Sequence, residues 1–164
     1  MKNGLIVNED GYQEWYLDDK LHRVDGPARI YSDGSQEWYL NDRLHRESGP
    51  AVIWTDGSQE WYIKGRLHRE SGPARIYSDG RQEWYSKGKL HRESGPAIIR
   101  EDGTQTWFLK GKMHRADGPA FINPNGAHSW YLNGKMYTFN EYVTQLFPED
   151  SPQRTLFLLK WING

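Results

Sequence analysis

The chain has 164 residues, which suits a single domain, and its 21 basic and 22 acidic side chains leave a formal net charge of −1. Apolar residues make up 36% of the sequence, so a large globular core is not expected, while an aromatic share of 14% argues against disorder. The lack of cysteine excludes disulfides, thiolate metal ligands and a cysteine nucleophile, and the balanced charge lacks the basic block typical of duplex DNA-binding proteins.

Hydropathy gives an expectation about location. The sequence contains neither a signal peptide nor an apolar run long enough to span a bilayer. We therefore expect a soluble cytoplasmic protein without a membrane partner.

A 23-residue period organises residues 1–137 into six repeats. Gly-Pro pairs recur at this spacing, and so do tryptophan and histidine, with Tyr137 in the sixth histidine position. The two columns are Trp15, Trp38, Trp61, Trp84, Trp107 and Trp130, and His22, His45, His68, His91 and His114. A fixed period of this length is typical of repeat proteins, in which each repeat buries its apolar surface by stacking on its neighbours.

The array begins with a clipped repeat, residues 1–11, in which residues 5–7 are predicted to form a strand. In the next repeats, a run such as residues 36–40 is rich in aromatic and aliphatic side chains and predicts a first strand. A two-residue turn follows, and Asn133-Gly134 is the best match among these turns to a type I′ hairpin. Residues 43–46 are predicted as the second strand.

The Gly-Pro pair predicts a corner after the second strand, because proline cannot donate to a sheet ladder. Residues 51–54 then form a predicted third strand, which ends in a turn at Asp56-Gly57. A three-residue loop with glycine in the left-handed conformation suits this turn.

The turn lengths predict a register. The hairpin turn pairs Trp38 with His45, and the three-residue loop pairs Ala28 with Trp38. Each repeat is thus predicted to be a three-stranded antiparallel sheet, and the whole chain a mostly β, elongated array. Because side chains alternate along a strand, we expect the row Ala28–Trp38–His45 on a buried face.

The adjacent predicted row is Arg29–Glu37–Arg46, a carboxylate between two guanidinium groups. It lies on the opposite, wetter face with Tyr39. The simplest interpretation is a ladder of cross-strand ion pairs, each worth roughly 0.2–1 kcal/mol. In the fifth repeat Thr106 replaces the carboxylate, so Arg115 is expected to lack a partner.

The repeat pattern ends after Tyr137, and residues 138–164 are predicted to form two short helices that cap the array. Thr138 and Glu141 match a capping box, and Ser151-Pro152 matches the start of a second helix. That helix is expected to end at Asn163-Gly164. Its predicted apolar side consists of Leu156, Leu158, Leu159 and Trp161. The predicted domains are therefore the β array, residues 1–137, and the helical cap, residues 138–164.

The order Trp, x-Gly turn, His, Gly and Asp-Gly within 23 residues resembles the MORN repeat family and its shorter variants over residues 1–137. The form with a recurring His-Arg-x-x-Gly-Pro-Ala is similar to repeat proteins of bacteriophages and large DNA viruses. The resemblance implies a β-hairpin array without a catalytic site that serves as a scaffold for protein contacts. A viral origin would place the protein in the host cytoplasm.

The histidine column does not predict a metal site. Its members are one per repeat, roughly 10 Å apart if each repeat adds two strand widths. Zinc ligands must all lie about 2 Å from the ion. We therefore expect each histidine to pack beside tryptophan and to hydrogen-bond into the Gly-Pro corner, and we predict neither a metal nor a cofactor.

The exposed columns of aromatic and arginine side chains are the predicted partner-binding residues, because Tyr and Arg are enriched in binding hot spots. They are Tyr39, Tyr62, Tyr85, Phe108, Arg46, Arg69, Arg92 and Arg115. The absence of net positive charge favours a protein partner over nucleic acid. Open sheet edges also allow self-association.

The sequence therefore predicts a non-enzymatic scaffold that binds a macromolecular partner along its long face, and the resemblance suggests a phage or viral inhibitor of a host defence protein. The alternative is a protein that sequesters a small nucleotide or another anion between aromatic and arginine side chains. No special carboxylate pair or Gly-rich phosphate loop indicates catalysis, because every glutamate and glycine belongs to the repeat.

Overall fold

The computed structural model describes residues 1–149 and 151–161. The chain forms two compact units, one comprising Met1–Lys89 and the other beginning at Leu90. Both units are built from short antiparallel strands, and the second also carries two helices. The predicted class, a mostly β repeat array with a C-terminal helical cap, is confirmed.

The strands that lie in the first unit follow the repeats. They are β1 (Gly4–Val7), β2 (Gln13–Leu17), β3 (Lys20–Leu21), β4 (Arg29–Ile30), β5 (Gln36–Glu37), β6 (Tyr39–Leu40), β7 (Arg43–Leu44), β8 (Val52–Ile53), β9 (Gln59–Glu60), β10 (Tyr62–Ile63), β11 (Arg66–Leu67), β12 (Arg75–Ile76), β13 (Gln82–Glu83) and β14 (Tyr85–Ser86). A ladder of hydrogen-bonded neighbours runs in the order β1-β2-β4-β5-β8-β9-β12-β13. The pairs β2-β3, β6-β7 and β10-β11 form hairpins.

The boundary between the units falls within β15 (Lys89–Leu90). The second unit contains β16 (Ile98–Ile99), β17 (Gln105–Thr106), β18 (Phe108–Leu109), β19 (Lys112–Met113), β20 (Phe121–Ile122), β21 (His128–Leu132), β22 (Lys135–Tyr137), α1 (Phe139–Leu146) and α2 (Pro152–Trp161). Its ladder runs β16-β17-β20-β21-β22, and β18-β19 is a hairpin.

The predicted register within each repeat is confirmed. Tyr39 lies opposite Leu44, and Arg29 lies opposite Glu37. Lys64, the first residue of a hairpin turn, has φ +52°, and Gly65 has φ +76°, as a type I′ turn requires. The Asp-Gly loops also have the predicted geometry, with a left-handed glycine and an aspartate side chain that accepts a backbone N–H two residues later.

The prediction of one continuous three-stranded sheet per repeat is correct for the last repeat, where β20, β21 and β22 pair in order, but wrong for the inner repeats, as the second repeat shows. The first strand breaks at Trp38, whose N–H donates to Ala51 O (2.8 Å) while its carbonyl accepts from His45 N–H (2.9 Å). On one side of this residue, β5 joins the main ladder and pairs with β8 of the next repeat. On the other side, β6 leaves the ladder and forms a separate hairpin with β7. Turn lengths specify pairing within a repeat, so they could not reveal this second neighbour.

The prediction about the two faces is partly wrong. The carboxylate row, expected on the wetter face, contains some of the most buried side chains, with Glu37 7% and Glu83 2% exposed. The alanine beside each indole is completely buried, as expected, but of the central tryptophans only Trp38 is buried and Trp61 is half-buried. The protein therefore buries both its alanine-tryptophan row and an ionic row.

Each hairpin tip is attached to the preceding repeat. Gly65 N–H donates to Leu44 O (2.8 Å), and Lys64 N–H donates to His45 Nδ1 (3.1 Å). His68 accepts from Lys87 N–H in the same way. The histidines therefore receive the next hairpin turn instead of hydrogen-bonding into their own Gly-Pro corner, as the sequence had suggested.

The helical cap packs on the last repeat. Thr138 and Glu141 form the predicted capping box of α1, and Ser151 Oγ accepts Arg154 N–H at the start of α2. The buried cluster consists of Trp130, Tyr142, Val143 and Phe157.

The predicted apolar side of α2 is partly wrong. Leu156 and Leu159 are more than 60% exposed, and the buried residue is Phe157. Phe157 and Trp161, four residues apart on one face, both lie near the Trp130 ring, which selects this face for burial. The predicted end at residues 163–164 lies outside the described residues.

Candidate interaction surfaces

In four of the His-Arg pairs the arginine guanidinium lies over a tryptophan ring. The guanidinium carbon of Arg46 is 3.9 Å from the ring centroid of Trp38, and Arg46 Nη1 donates to Pro50 O (3.0 Å). A Cβ at Gly49 would lie 3.2 Å from the same guanidinium carbon. The His-Arg-x-x-Gly-Pro motif therefore encodes a clamp in which the guanidinium is held between an indole and the backbone of the corner.

The same stack recurs along the chain. The equivalent pairs are Arg23 on Trp15 (4.1 Å), Arg69 on Trp61 (4.0 Å) and Arg115 on Trp107 (4.0 Å). The predicted place of Arg46 beside Glu37 is therefore wrong. So is the expectation that Arg115 lacks an acidic partner, because its Nε is 2.7 Å from Asp117 Oδ1. Sequence spacing contained the clue, since the glycine always follows three residues after the arginine.

The buried ionic row consists of Glu–Arg–Glu triads. Arg29 lies between Glu14 (2.9 Å) and Glu37 (3.2 Å). Burial would raise the pKa of Glu14, but hydrogen bonds from Tyr16 and Arg29 outweigh that effect, so the pKa is lowered. Glu14 is thus held in its charged form.

A second triad repeats this arrangement 46 residues later in the sequence. Arg75 lies between Glu60 (3.1 Å) and Glu83 (3.8 Å), and Arg81 also contacts Glu83. Val52 occupies the arginine position of the intervening repeat, opposite Glu37 and Glu60. Within residues 14–83 the ionic triads therefore recur every second repeat, and in the second unit Phe121 stands at the next arginine position.

The tyrosine column supplies hydroxyl groups to these carboxylates. Tyr62 donates to Glu60 (2.9 Å), and Tyr85 donates to Glu83 (3.1 Å). Burial, reinforced by the neighbouring carboxylate, raises the pKa of Tyr62 and that of Tyr85 to about 12. Burial and Glu37 also raise the pKa of Tyr39.

The eight predicted partner-binding residues are all half-buried and fall into two groups. The arginines of the group, Arg46, Arg69, Arg92 and Arg115, each donate to the carbonyl of a corner proline. Tyr39, Tyr62 and Tyr85 lie beside buried carboxylates, and Phe108 belongs to the repeat in which Thr106 replaces the carboxylate. The side-chain environments of the two columns are thus different.

Two equivalent open clefts lie at the Gly-Pro corners of the first unit. One has a volume of about 570 Å³, and its lining includes Arg46, Glu47, Trp61, Ile63, Arg69 and Glu70. The other, one repeat earlier, has a volume of about 430 Å³, and its lining includes Arg23, Asp25, Trp38, Leu40, Arg46 and Glu47. We call these the corner clefts. Each combines an indole, an aliphatic side chain, guanidinium groups and carboxylates.

Two further clefts lie along the hairpins, and these are basic. One, of about 430 Å³, is lined by Arg43, Ile63, Lys64, Arg66, His68 and Lys87. The other, of about 460 Å³, is lined by Lys20, Leu40, Asn41, Arg43, His45 and Lys64. We call them the hairpin clefts. No carboxylate belongs to either lining.

The sequence contained a signal for the basic surface that our composition argument missed. The first residue of the second strand is basic in every repeat. These residues are Lys20, Arg43, Arg66, Lys89, Lys112 and Lys135. Reading the repeat column by column would have found them, whereas net charge averages them against acidic residues in other columns.

Within residues 1–149 and 151–161, no three His, Asp or Glu side chains are grouped so that they could hold a metal ion. No helix in the same residues has the length and apolarity needed to cross a membrane. No protein-family model matches the chain, and no curated protein shows significant similarity to it.

Proposed function

We propose that the chain is a non-enzymatic repeat scaffold that binds a protein partner through its corner clefts. The observation that carries this proposal is the presence of two equivalent clefts one repeat apart, built from the same residue types and sharing Arg46 and Glu47. A surface that repeats its chemistry in this way suits a partner segment that lies across several repeats.

The chemistry of the corner clefts supports a protein partner. Tryptophan and arginine are the side chains that most often dominate binding energy, and each cleft offers both beside an aliphatic residue. Because Arg46 and Arg69 are already stacked on indoles, little side-chain entropy remains to be lost on binding. Two of the predicted partner-binding arginines therefore belong to the proposed interface, whereas no tyrosine of the predicted group lines it.

The resemblance to MORN-like repeats of bacteriophages and large DNA viruses extends the proposal to the kind of partner. A small scaffold without its own chemistry can act by occupying a surface of another protein. We propose a host defence protein as that partner and the host cytoplasm as the place of action.

Site-specific photocrosslinking tests the interface. A photoreactive phenylalanine analogue placed at Glu47 or Glu70, both exposed in the corner clefts, should capture a defined protein from host-cell lysate. Matched controls carry the same analogue at Glu9 or Glu101. Both are exposed outside the corner clefts, and their replacement removes the same charge. Equal capture from both pairs of positions, or no defined product from the first pair, would contradict the proposal.

Binding of the captured partner, once purified, then gives a quantitative check. We expect the charge reversal E47R/E70R to weaken the dissociation constant about tenfold or more, a loss of about 1.4 kcal/mol. The control E9R/E101R, with the same change in net charge at exposed positions outside the corner clefts, should bind like the unmodified protein.

The second candidate function is the sequestration of a small nucleotide or another anion. The concentration of cations in the hairpin clefts favours it. Thermal unfolding in the presence of a nucleotide panel separates the two candidates. Stabilisation by several degrees with one nucleotide would favour this alternative, and no shift would favour the scaffold.

A further inference from the structure

A continuous basic stripe runs along the hairpins of the first unit, and neither the tryptophan clamps nor the corner clefts use it. Its central members are Arg43, Lys64, Arg66 and Lys87, all exposed. They line the hairpin clefts, which share Arg43 and Lys64. We call these four residues the hairpin stripe.

Packing holds the members of the stripe side by side. A Cβ at Gly65, the neighbour of Lys64 in its turn, would lie 3.7 Å from Arg43 Cβ. A Cβ at Gly88, the neighbour of Lys87, would lie 3.7 Å from Arg66 Cβ. Each hairpin tip thus rests on the aliphatic base of the preceding cationic residue.

Backbone hydrogen bonds fix the same arrangement. Gly65 N–H donates to Leu44 O, and Gly88 N–H donates to Leu67 O, both at 2.8 Å. The cationic groups therefore project from a rigid support at one repeat per step, about 10 Å if each repeat adds two strand widths.

The stripe is not neutralised by neighbouring acids. Within the described residues, none of its four members forms an ion pair with a carboxylate. Aspartates do occupy the first two hairpin turns, but Asp42 Oδ1 accepts Leu21 N–H and Asp19 Oδ1 accepts Lys2 N–H. Arg43 directly follows Asp42, whereas the turns that carry Lys64 and Lys87 contain no acidic residue.

The Asp-Gly loops lie away from the stripe, and the exposed Glu47 and Glu70 line the corner clefts but neither hairpin cleft. The loop Asp33-Gly34 and the turn Asn41-Asp42 stand at opposite ends of residues 35–40. At about 3.3 Å per residue that separation reaches up to about 20 Å. Screening at 0.1 M salt limits exposed charges to an effective range of about 10 Å. A net charge of −1 therefore does not cancel the local positive potential.

We propose that the hairpin stripe binds the phosphate backbone of nucleic acid without sequence preference. Lysine and arginine contacts to phosphates position a nucleic acid but carry no base specificity. Regular steps of cationic side chains suit a polymer with a charge on every monomer. The aliphatic floors of the hairpin clefts, Leu40 and Ile63, offer an apolar surface to the sugars. The four cations of the hairpin stripe line neither corner cleft, whereas Leu40 and Ile63 border both surfaces.

Fluorescence anisotropy with labelled oligothymidylate and with a labelled duplex tests the proposal. If the stripe neutralises three or four phosphates of a single strand, we expect the affinity to fall about 20- to 50-fold between about 50 and 200 mM salt. The triple variant K64Q/R66Q/K87Q should bind more weakly at low salt, with a salt effect reduced to about threefold. Glutamine keeps the aliphatic base on which the glycine turns rest.

A matched control keeps the net charge equal. The triple variant K2Q/R100Q/K160Q removes three exposed cations outside the stripe and should retain the affinity and salt dependence of the unmodified protein. Circular dichroism of both variants confirms that the fold is intact before affinities are compared.

Several outcomes would overturn the proposal. These are no binding of either oligonucleotide at low salt, equal losses in the two triple variants, and binding of polyglutamate in preference to the oligonucleotides. Displacement of the oligonucleotide by a mononucleotide at equal phosphate concentration would assign the site to a small ligand instead. None of these outcomes bears on the photocrosslinks from the corner clefts, so the two proposals fail separately.

Discussion

Arg29 compensates two carboxylates that the fold takes out of water. Glu14 and Glu37 approach it from opposite strands, and the side chain of Glu37 is only 9% exposed. A buried charge is tolerated only when it is paired and hydrogen-bonded, so each triad acts as a unit. With two carboxylates to one guanidinium, the hydroxyl of Tyr16 supplies a further donor, to Glu14.

Replacing Arg29 with leucine should destabilise the protein, because Glu14 and Glu37 would then be left without their cation. Breaking a buried pair by removing one partner costs about 3–5 kcal/mol, and the partial exposure of Glu14 places our expectation at the lower end. Urea unfolding monitored by tryptophan fluorescence measures the loss.

The triple variant E14Q/R29L/E37Q serves as the control for this change. It removes the stranded charges together with the arginine, so it should recover part of the stability lost in R29L. A loss in R29L of less than about 1 kcal/mol, the value of an exposed pair, would show that the triad is not buried in solution.

The tyrosines beside the triads predict a loss of stability in alkali. Their folded-state pKa is raised from 10.0 to about 12 in Tyr62 and Tyr85, so the unfolded chain loses these protons first. Stability is then fully present below pH 10 and falls as the pH rises toward 12. Tyrosinate absorbance should show a class of groups that titrates late in the folded protein and normally in urea.

Phe108 provides an internal reference for this effect. Phe108 replaces the tyrosine of the preceding repeats, and Thr106 replaces their glutamate, so this repeat lacks both the phenolic hydroxyl and its carboxylate acceptor. The variant Y62F should therefore remove one late-titrating group, whereas F108Y should add a tyrosine without a carboxylate partner. If all tyrosines of the folded protein titrated together near pH 10, the inferred contacts would be wrong.

The hairpins are the elements that join one repeat to the next. Their turn residues lie in the left-handed region even where no glycine is present, since Asn41 has φ +50° and Asp42 has φ +59°. Asp42 uses its carboxylate to accept Leu21 N–H, which compensates the backbone strain. Later hairpins use glycine at this place and rely on the bond from the turn to the preceding histidine.

Gly65 should distinguish backbone strain from steric conflict in these turns. A Cβ there would make only an ordinary contact of 3.7 Å with Arg43, so the cost of substitution comes from φ +76°. We expect G65V to cost about 1–3 kcal/mol, as for other residues forced into a rare backbone region. G65D should cost clearly less, because aspartate already occupies the equivalent position 42. Thermal unfolding of the two variants would contradict this if both lost the same stability.

Turn chemistry explains why part of this fold could be predicted from sequence. A two-residue turn and a three-residue loop specify which residues face each other, and the pairs of Tyr39 with Leu44 and Arg29 with Glu37 followed directly. Capping boxes are similarly local, so the start of α1 was predicted. The pairing of β5 with β8 of the next repeat depends on contacts between repeats, so turn lengths did not predict it.

The candidate sites were predicted less well for the same reason. Tyr39 and Leu44 lie opposite each other, and Glu37 and Arg46 are each two residues further along the chain from this pair. Strand alternation alone would therefore place Glu37 and Arg46 in one row. The break at Trp38 turns Arg46 onto the indole instead, because the corner glycine leaves space there. This position depends on the path of the chain through the corner, which the constant Arg-to-Gly spacing marks but the cross-strand register does not specify.

Two spacings overlap along the chain. Backbone pairing repeats every 23 residues, whereas the two ionic triads of the first unit lie 46 residues apart, since Val52 separates the triads of Arg29 and Arg75. Stability in repeat proteins is approximately a sum over repeats and their interfaces. Removal of one repeat should therefore preserve the backbone register but change which residue lies opposite each glutamate of the ionic row.

Two deletions of equal length separate these effects. Removal of residues 47–69 would bring Arg75 beside Glu37. Each remaining glutamate of the two triads would then keep an arginine neighbour. Removal of residues 24–46 would place Val52 beside Glu14, which would then lack its cation. Both variants join His-Arg to Glu-Ser-Gly-Pro and so preserve the repeat pattern.

We expect both shortened proteins to fold, with equal urea dependence, because they expose the same amount of surface on unfolding. The variant without residues 24–46 should be less stable by about 2 kcal/mol, the value of a hydrogen bond to a charged group in a partly buried site. Equilibrium urea unfolding of the pair measures the difference at matched length. Equal midpoints would show that the triads contribute no net stability, and unfolding of both variants would show that neighbouring repeats are not interchangeable.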